Sequence, residues 1–66
     1  MKATITYVTR RTEGTIKTKV IEDFCKMETI FTNTAGKIYE EVRFYTSDWN
    51  WFTFVKDGII NVFIEV

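Results

Sequence analysis

The last eighteen residues alternate between two faces in a pattern that predicts a β-hairpin. Residues 49–56 and 59–66 are rich in aromatic and β-branched side chains, which favour strands. Asp57-Gly58 lies between them, and this dipeptide is favoured in two-residue type I′ turns. With that turn as the loop, one face is almost wholly apolar and is the predicted core side. It collects Trp49, Trp51, Val55, Ile60, Val62 and Ile64.

The opposite face of this predicted hairpin is apolar as well. It presents Phe52, Phe54, Ile59 and Phe63, where a half-buried sheet normally carries polar residues. Burying one large apolar side chain is worth about 1.5–3 kcal/mol, and contiguous exposed patches tend to mark interfaces. We therefore predict a protein interface at these four residues, with a second copy or another protein, and a homodimer as one form. The alternative is a twisted sheet that curls over them and makes them core.

The first twenty residues predict a second hairpin. Residues 2–8 alternate with a period of two, and Glu13-Gly14 supplies a tight turn. A two-residue loop at this turn sets Tyr7 opposite Val20 and places both on an apolar face with Ile5 and Ile16. The other face then collects the polar and basic residues Lys2, Thr4, Thr6, Arg10, Lys17 and Lys19.

Residues 21–33 have an ambiguous pattern that we interpret as a helix. Val20, Phe24, Met27 and Phe31 follow one another at offsets of four, seven and eleven, which is the spacing of an amphipathic helix. The acidic residues at 22 and 23 would lie in its first turn, where the helix dipole favours anions. Residues 27–32 also alternate and contain threonine, so a sixth strand is the alternative.

A further strand is predicted at residues 37–46, after a turn at residues 33–36. Ile38, Val42 and Phe44 would share one face, with Glu40 intruding on it, which suggests a position near a sheet edge. The assembled prediction for residues 1–66 is one small α+β domain. It has an antiparallel sheet in β-β-α-β-β-β order and one helix packed on one face. The alternative is an all-β meander or small barrel.

These 66 residues contain few side chains suited to catalysis. The chain has no histidine, the residue whose unperturbed pKa lies nearest neutrality. Cys25 is the lone cysteine, so it cannot form an intramolecular disulfide or, by itself, a closed zinc site. We predict a buried, inert thiol there, no catalytic residues, no metal site, no cofactor and no enzymatic activity.

Charge is distributed unevenly along a chain whose formal net charge is zero. Residues 1–20 hold five basic residues and one acid, whereas residues 21–66 hold four basic residues and eight acids. The alternative functional prediction is therefore a nucleic-acid-binding protein that uses the basic first hairpin. Its binding residues would be Lys2, Arg10, Arg11, Lys17 and Lys19. A solvated face that discourages edge aggregation explains the same residues, and the pI of about 6.2 is low for a small DNA-binding protein.

These features together predict a non-catalytic protein-interaction or self-associating module, such as a regulator, inhibitor or accessory protein. Small size also fits a phage or mobile-element protein. The chain opens with Met1 and an alternating segment rather than the basic start and apolar run of a signal peptide. Its apolar runs are too short for a membrane span, and a single unpaired thiol agrees with a reducing compartment. We therefore expect a cytoplasmic protein with no membrane partner.

Overall fold

A computed structural model describes residues 1–9 and 14–66 of the chain, and within them it is an all-β fold. The predicted turn residue Glu13 and the basic residues Arg10 and Arg11 lie outside the described residues. The strands of the described part are β1 (Lys2–Tyr7), β2 (Lys17–Ile21), β3 (Phe24–Thr34), β4 (Lys37–Thr46), β5 (Trp51–Val55) and β6 (Ile59–Glu65).

The described strands form two antiparallel sheets of three strands each. One sheet has the order β2-β1-β6 and the other has the order β3-β4-β5. The predicted α+β class was wrong, because strand makes up 71% of the described residues and no α-helix occurs among them. The all-β alternative, with a strand in place of the helix, agrees in class, whereas two separate sheets with β1 paired to β6 form neither a simple meander nor a closed barrel.

A β-bulge at Cys25 explains why the sequence of β3 imitates a helix. Phe24 pairs with Thr46 and Lys26 pairs with Tyr45, so Cys25 is the extra residue on the bulged strand. The bulge inverts the alternation, and Phe24 and Met27 therefore both face inward in spite of their three-residue spacing. After the bulge, β3 alternates regularly along β4. The helical periodicity therefore came from one inserted residue in a strand.

The predicted C-terminal hairpin was also wrong. β5 pairs with β4 in one sheet, and β6 pairs with β1 in the other. Lys56–Gly58 forms a 3₁₀ turn that carries the chain from one sheet to the other. The backbone N–H of Val8 donates to the Gly58 carbonyl at 2.8 Å, and a Cβ added at Gly58 would lie 2.4 Å from the Val8 carbonyl oxygen. Gly58 therefore serves a close approach of two backbones rather than a type I′ turn.

The first hairpin forms with a register different from the predicted one. Ala3 pairs with Ile21, Ile5 with Lys19 and Tyr7 with Lys17. Because residues opposite one another share a face, Ile21 turns inward, whereas Val20 faces outward. Lys19 shares the inner face, and its Nζ lies 4.4 Å from the centre of the Phe52 ring. This cation–π contact across the two sheets accounts for a lysine on the apolar side.

The predicted strand at residues 37–46 is confirmed as β4, with Val42 and Phe44 buried on its inner face. It lies in the centre of its sheet, so the edge position inferred from Glu40 was wrong. Glu40 instead pairs with Lys56 Nζ at 3.2 Å, near the end of the sheet. The preceding turn is confirmed as well, with Ala35 and Gly36 both at positive φ, as a type I′ turn requires.

The core between the two sheets is small. Phe44 and Ile5 are fully buried at its centre, where Phe24 packs beside Phe44 at a ring distance of 6.0 Å. A folded monomer of 7.8 kDa exposes about 4400 Å², whereas this chain exposes 4930 Å². The radius of gyration is 12.3 Å, against about 11 Å expected for this length. The molecule is therefore more extended than a closed domain of its mass.

Candidate functional site

The four predicted interface residues lie in different environments. Phe52, Phe54 and Ile59 pack against the buried core, and Phe54 contacts the rings of Tyr7 at 4.8 Å and Phe44 at 5.6 Å. Phe63 is 57% exposed and pairs with Thr4 on the outer face of its sheet. The structure therefore does not bring the four side chains together as one exposed patch.

The predicted basic face is divided in the same way. Lys2 lies on the outer face, where its Nζ is 3.5 Å from its cross-strand neighbour Glu65. Lys17 and Lys19 pair with Tyr7 and Ile5, so they belong to the inner face at the β2 edge. Arg10 and Arg11, the remaining predicted nucleic-acid contacts, lie outside the described residues.

Two further candidate surfaces lie on the β3-β4-β5 sheet, and the first is the inner face of the long β3-β4 hairpin. The 11-residue β3 and 10-residue β4 extend past the 5-residue β5. Beyond the core, Phe31 is 71% exposed and Ile38 is 72% exposed, and Met27, which lies opposite Phe44, is about half exposed. Within the described chain, β3 is an outer strand whose edge is unpaired after Phe24, where the backbone N–H donates to the Met1 carbonyl at 2.9 Å. This part of the sheet combines an open edge with exposed apolar side chains.

The second surface is an aromatic cluster on the outer face of the same sheet, formed by Tyr45, Trp49 and Trp51. Lys26, Tyr45 and Trp51 are neighbours across the three strands, so they project from the same face. The Tyr45 ring lies 6.4 Å from that of Trp49 and 6.2 Å from that of Trp51. Trp49 is 70% exposed and Trp51 is 54% exposed. Both tryptophans were predicted to be core, and that prediction was wrong.

Two cations are placed among these rings. Lys26 Nζ lies 4.8 Å from the centre of the Tyr45 ring and 6.0 Å from that of Trp49. The Arg43 guanidinium lies 5.1 Å from the Trp51 ring and 5.9 Å from the Tyr45 ring, and it donates to the Tyr45 hydroxyl at 3.2 Å. Each cation is therefore held on ring faces by cation–π attraction.

A tight turn after β4 sets the position of Trp49. The Trp49 N–H donates to the Thr46 carbonyl at 3.1 Å, and the Thr46 N–H donates to the Asn50 carbonyl at 2.9 Å. The Thr46 hydroxyl also donates to the Asp48 carboxylate, and this bond holds the pKa of Asp48 below its ordinary value of 3.8. The backbone of Trp49 has φ of +66°, which is rare for a bulky residue.

The sequence contained a signal for this cluster that the hairpin interpretation concealed. Arg43 and Tyr45 alternate with the apolar residues Val42 and Phe44 along β4, so the period of two puts them together on the face opposite the core. Assigning Trp49 and Trp51 to the core of a hairpin separated them from that face. Pairing β5 with β4 instead of β6 returns Trp51 to the side of Tyr45.

A groove of about 1050 Å³ opens beside the 3₁₀ turn. Its described lining residues are Tyr7, Val8, Thr9, Gly14, Tyr39, Glu41, Thr53, Phe54, Val55, Asp57 and Gly58. The Glu41 carboxylate in this lining already accepts a hydrogen bond from the Thr32 hydroxyl.

Comparisons with known proteins supply no family for this chain. No protein-family model matches it, and no curated protein or solved structure is significantly similar to it. Among residues 1–9 and 14–66, no group of three or more histidine, cysteine, aspartate or glutamate residues is placed to hold a metal ion. The same part of the chain contains no helix of the length and apolarity needed to cross a membrane. Functional inference therefore depends on the surfaces of the β3-β4-β5 sheet and the groove beside it.

Proposed function

We propose that this protein is a non-catalytic, self-associating module in which the free edge of β3 pairs with β3 of a second copy. The supporting observation is the combination of an 11-residue outer strand with exposed Met27, Phe31 and Ile38 on one side of it. An exposed, long, apolar edge strand is a template for pairing with another chain. Pairing about a two-fold axis closes the assembly at two copies.

The side chains of β3 favour one register for this pairing. With the two-fold axis at Thr29, Met27 of each copy lies opposite Phe31 of the other, so four apolar side chains meet on the inner face. An axis at Glu28 would set two like charges opposite one another, which is destabilising. An axis at Ile30 would set the apolar side chain of Met27 opposite the polar side chain of Asn33. We therefore place the axis at Thr29.

The chain exposes more surface than a closed monomer of its mass, although the surplus is smaller than one side of a standard interface. The chain exposes 4930 Å², about 500 Å² more than a closed monomer of its mass. A standard stable interface buries about 800 Å² on each partner. Pairing through β3 would cover Met27 and Phe31 and continue the sheet from three strands to six.

This proposal requires neither a catalytic group nor a cofactor, and its partner is a second copy of the chain. We place the protein in the cytoplasm, since Cys25 is a free, exposed thiol and such thiols persist in reducing compartments. The predicted buried position of Cys25 was wrong, because the bulge turns it out of the core.

Replacing Met27 and Phe31 by lysine tests the proposal. Met27→Lys/Phe31→Lys removes four apolar side chains from the dimer and sets cations opposite one another, so we expect the dimer Kd to rise by about 100-fold or more. The Ile60→Lys variant is the matched control, because Ile60 is also more than half exposed but belongs to β6. Sedimentation equilibrium gives the Kd, and circular dichroism checks that each variant is folded.

A folded double variant that associates as tightly as the wild type would overturn the proposal. So would an Ile60→Lys variant that dissociates to the same extent, since the edge of β3 would then have no special role.

A further inference from the structure

We propose that the groove beside the 3₁₀ turn binds a small organic cation, an amine that carries an aromatic or apolar body. The groove has a volume of about 1050 Å³ and lies at the β5 side of the β3-β4-β5 sheet. No residue of β3 is among its described lining residues. The site is therefore separate from self-association through the β3 edge.

The Glu41 carboxylate is the central polar group of this site. Glu41 lies on the middle strand β4, opposite Ile30 on one side and Val55 on the other, so its side chain stands between two apolar neighbours on the outer face. A second hollow of about 250 Å³ on the same sheet is also lined by Glu41, together with Tyr39 and Val55. Both hollows therefore meet at one half-buried carboxylate.

The charge of the described lining is negative. Glu41 and Asp57 are its charged residues. Among residues 1–9 and 14–66, no lysine or arginine forms an ion pair with either carboxylate, and Glu41 accepts a hydrogen bond from the neutral hydroxyl of Thr32. A half-buried carboxylate without a counter-ion is stabilised by a cation that enters the groove.

The described cations nearest in the sheet have other partners. Arg43, two residues along β4 from Glu41, has its guanidinium 5.1 Å from the Trp51 ring. Lys56 Nζ lies 3.2 Å from the Glu40 carboxylate. Lys17 is exposed on β2 and is not among the lining residues. The position facing Glu41 is therefore available to a cation that the described chain does not supply.

Aromatic rings provide the second part of the recognition. Tyr7, Tyr39 and Phe54 line the groove, and the Tyr7 and Phe54 rings meet edge to face with their centres 4.8 Å apart. Ring faces attract an ammonium group, and the apolar surface of the rings holds an organic body. Carboxylates placed beside aromatic rings therefore favour an organic amine over an anionic ligand.

Three ligands of similar shape separate the effect of charge from that of apolar contact. Phenethylamine carries an ammonium group, phenethyl alcohol a neutral hydroxyl and phenylacetate a carboxylate. We expect the amine to bind with a Kd of about 1 mM or below, the alcohol to bind about 10-fold more weakly and phenylacetate to bind least tightly. Heteronuclear NMR titration gives each Kd, and the amides of Tyr39, Glu41 and Asp57 should be among those that shift.

The Glu41→Gln variant tests the role of the carboxylate. Glutamine keeps the shape of the side chain and an acceptor oxygen for the Thr32 hydroxyl, so the fold should be retained, and thermal unfolding checks this. We expect the affinity for the amine to fall by about 10-fold and the affinity for the alcohol to stay unchanged. Glu65→Gln is the matched control, because it removes an acid from the other sheet, where Glu65 pairs with Lys2, and it should leave both affinities unchanged.

Several results would overturn this inference. Equal affinities for the amine and the alcohol would show that the groove does not recognise charge, and so would an amine affinity that Glu41→Gln leaves intact. Absence of shifts in the groove at about 10 mM amine, ten times the expected Kd, would exclude the site. Tighter binding of phenylacetate would show that the groove attracts anions, with Arg10 and Arg11, next to Thr9 in the sequence, as the first candidates. Shifts confined to the amides around Trp49 would place the amine on the aromatic cluster instead.

Discussion

Two glycines at turns of this protein serve different physical purposes, although both read as turn residues in the sequence. Gly36 follows Ala35 in a turn where both residues have positive φ, and that turn could be predicted because the requirement is local. Gly58 is required because the Val8 backbone approaches it. A contact with a residue fifty positions away leaves no local pattern, so its role could not be predicted.

Asp48 gives the turn after β4 a defined pH response. The Thr46 hydroxyl bond lowers its pKa below 3.8, so its ionised form is favoured more in the folded chain than in the unfolded chain. This contribution to stability is therefore complete above the unfolded pKa and is lost as the pH falls through the lower, folded value.

We expect Asp48→Asn to flatten this response. The wild type should lose thermal stability between about pH 5 and pH 2, and the variant should lose less over the same interval because its side chain does not titrate. Thermal unfolding followed by circular dichroism at each pH measures the difference, and Asp57→Asn, in the 3₁₀ turn, controls for the loss of one acid. Parallel curves for the wild type and Asp48→Asn would refute the assignment.

At the scale of elements, the alternation of polar and apolar residues predicted β4 in full and misassigned β3. β4 is regular from Lys37 to Thr46, so its period of two is unbroken. In β3 the bulge at Cys25 shifts the alternation by one residue, and the result has the spacing of a helix. Periodicity therefore identifies an element only where the strand has no inserted residue.

The connection between β5 and β6 was missed for a related reason. Asp57-Gly58 favours a hairpin locally, yet β6 gains more by pairing with β1, where Ile5 and Val62 lie opposite one another at the core. We expect Gly58→Ala to destabilise the fold by about 2–3 kcal/mol, because a Cβ there overlaps the Val8 carbonyl and breaks the close approach of the two backbones. Urea unfolding measures the change.

Gly36→Ala is the matched comparison for this substitution. A Cβ at Gly36 meets open space, so only the positive φ of +78° opposes it, at a cost of about 1 kcal/mol. Equal losses for the two variants would mean that the Gly58–Val8 contact does not support the connection between the sheets.

At the scale of the whole molecule, the proposed self-association rests on the small size of the buried core, which leaves apolar side chains exposed. The sequence predicted a surplus of apolar side chains, but placed it at Phe52, Phe54, Ile59 and Phe63. The first three of these pack on the core, and the exposed apolar residues of the β3-β4 hairpin are Met27, Phe31 and Ile38. The amount of apolar surface follows from composition, whereas its location depends on which strands pair across the chain.

Disulfide cross-linking at Thr29 tests the proposed assembly most directly. In the register proposed, the two copies of Thr29 face one another across the two-fold axis with Cα atoms about 4.5–5.5 Å apart, which is within the range of about 4.4–6.8 Å for a disulfide. Thr29→Cys/Cys25→Ser should therefore form a covalent dimer under mild oxidation, whereas Thr53→Cys/Cys25→Ser, on the opposite edge strand of the same sheet, should stay monomeric on a non-reducing gel. Cross-linking of both variants to the same extent, or of the Thr53 variant alone, would contradict pairing through β3.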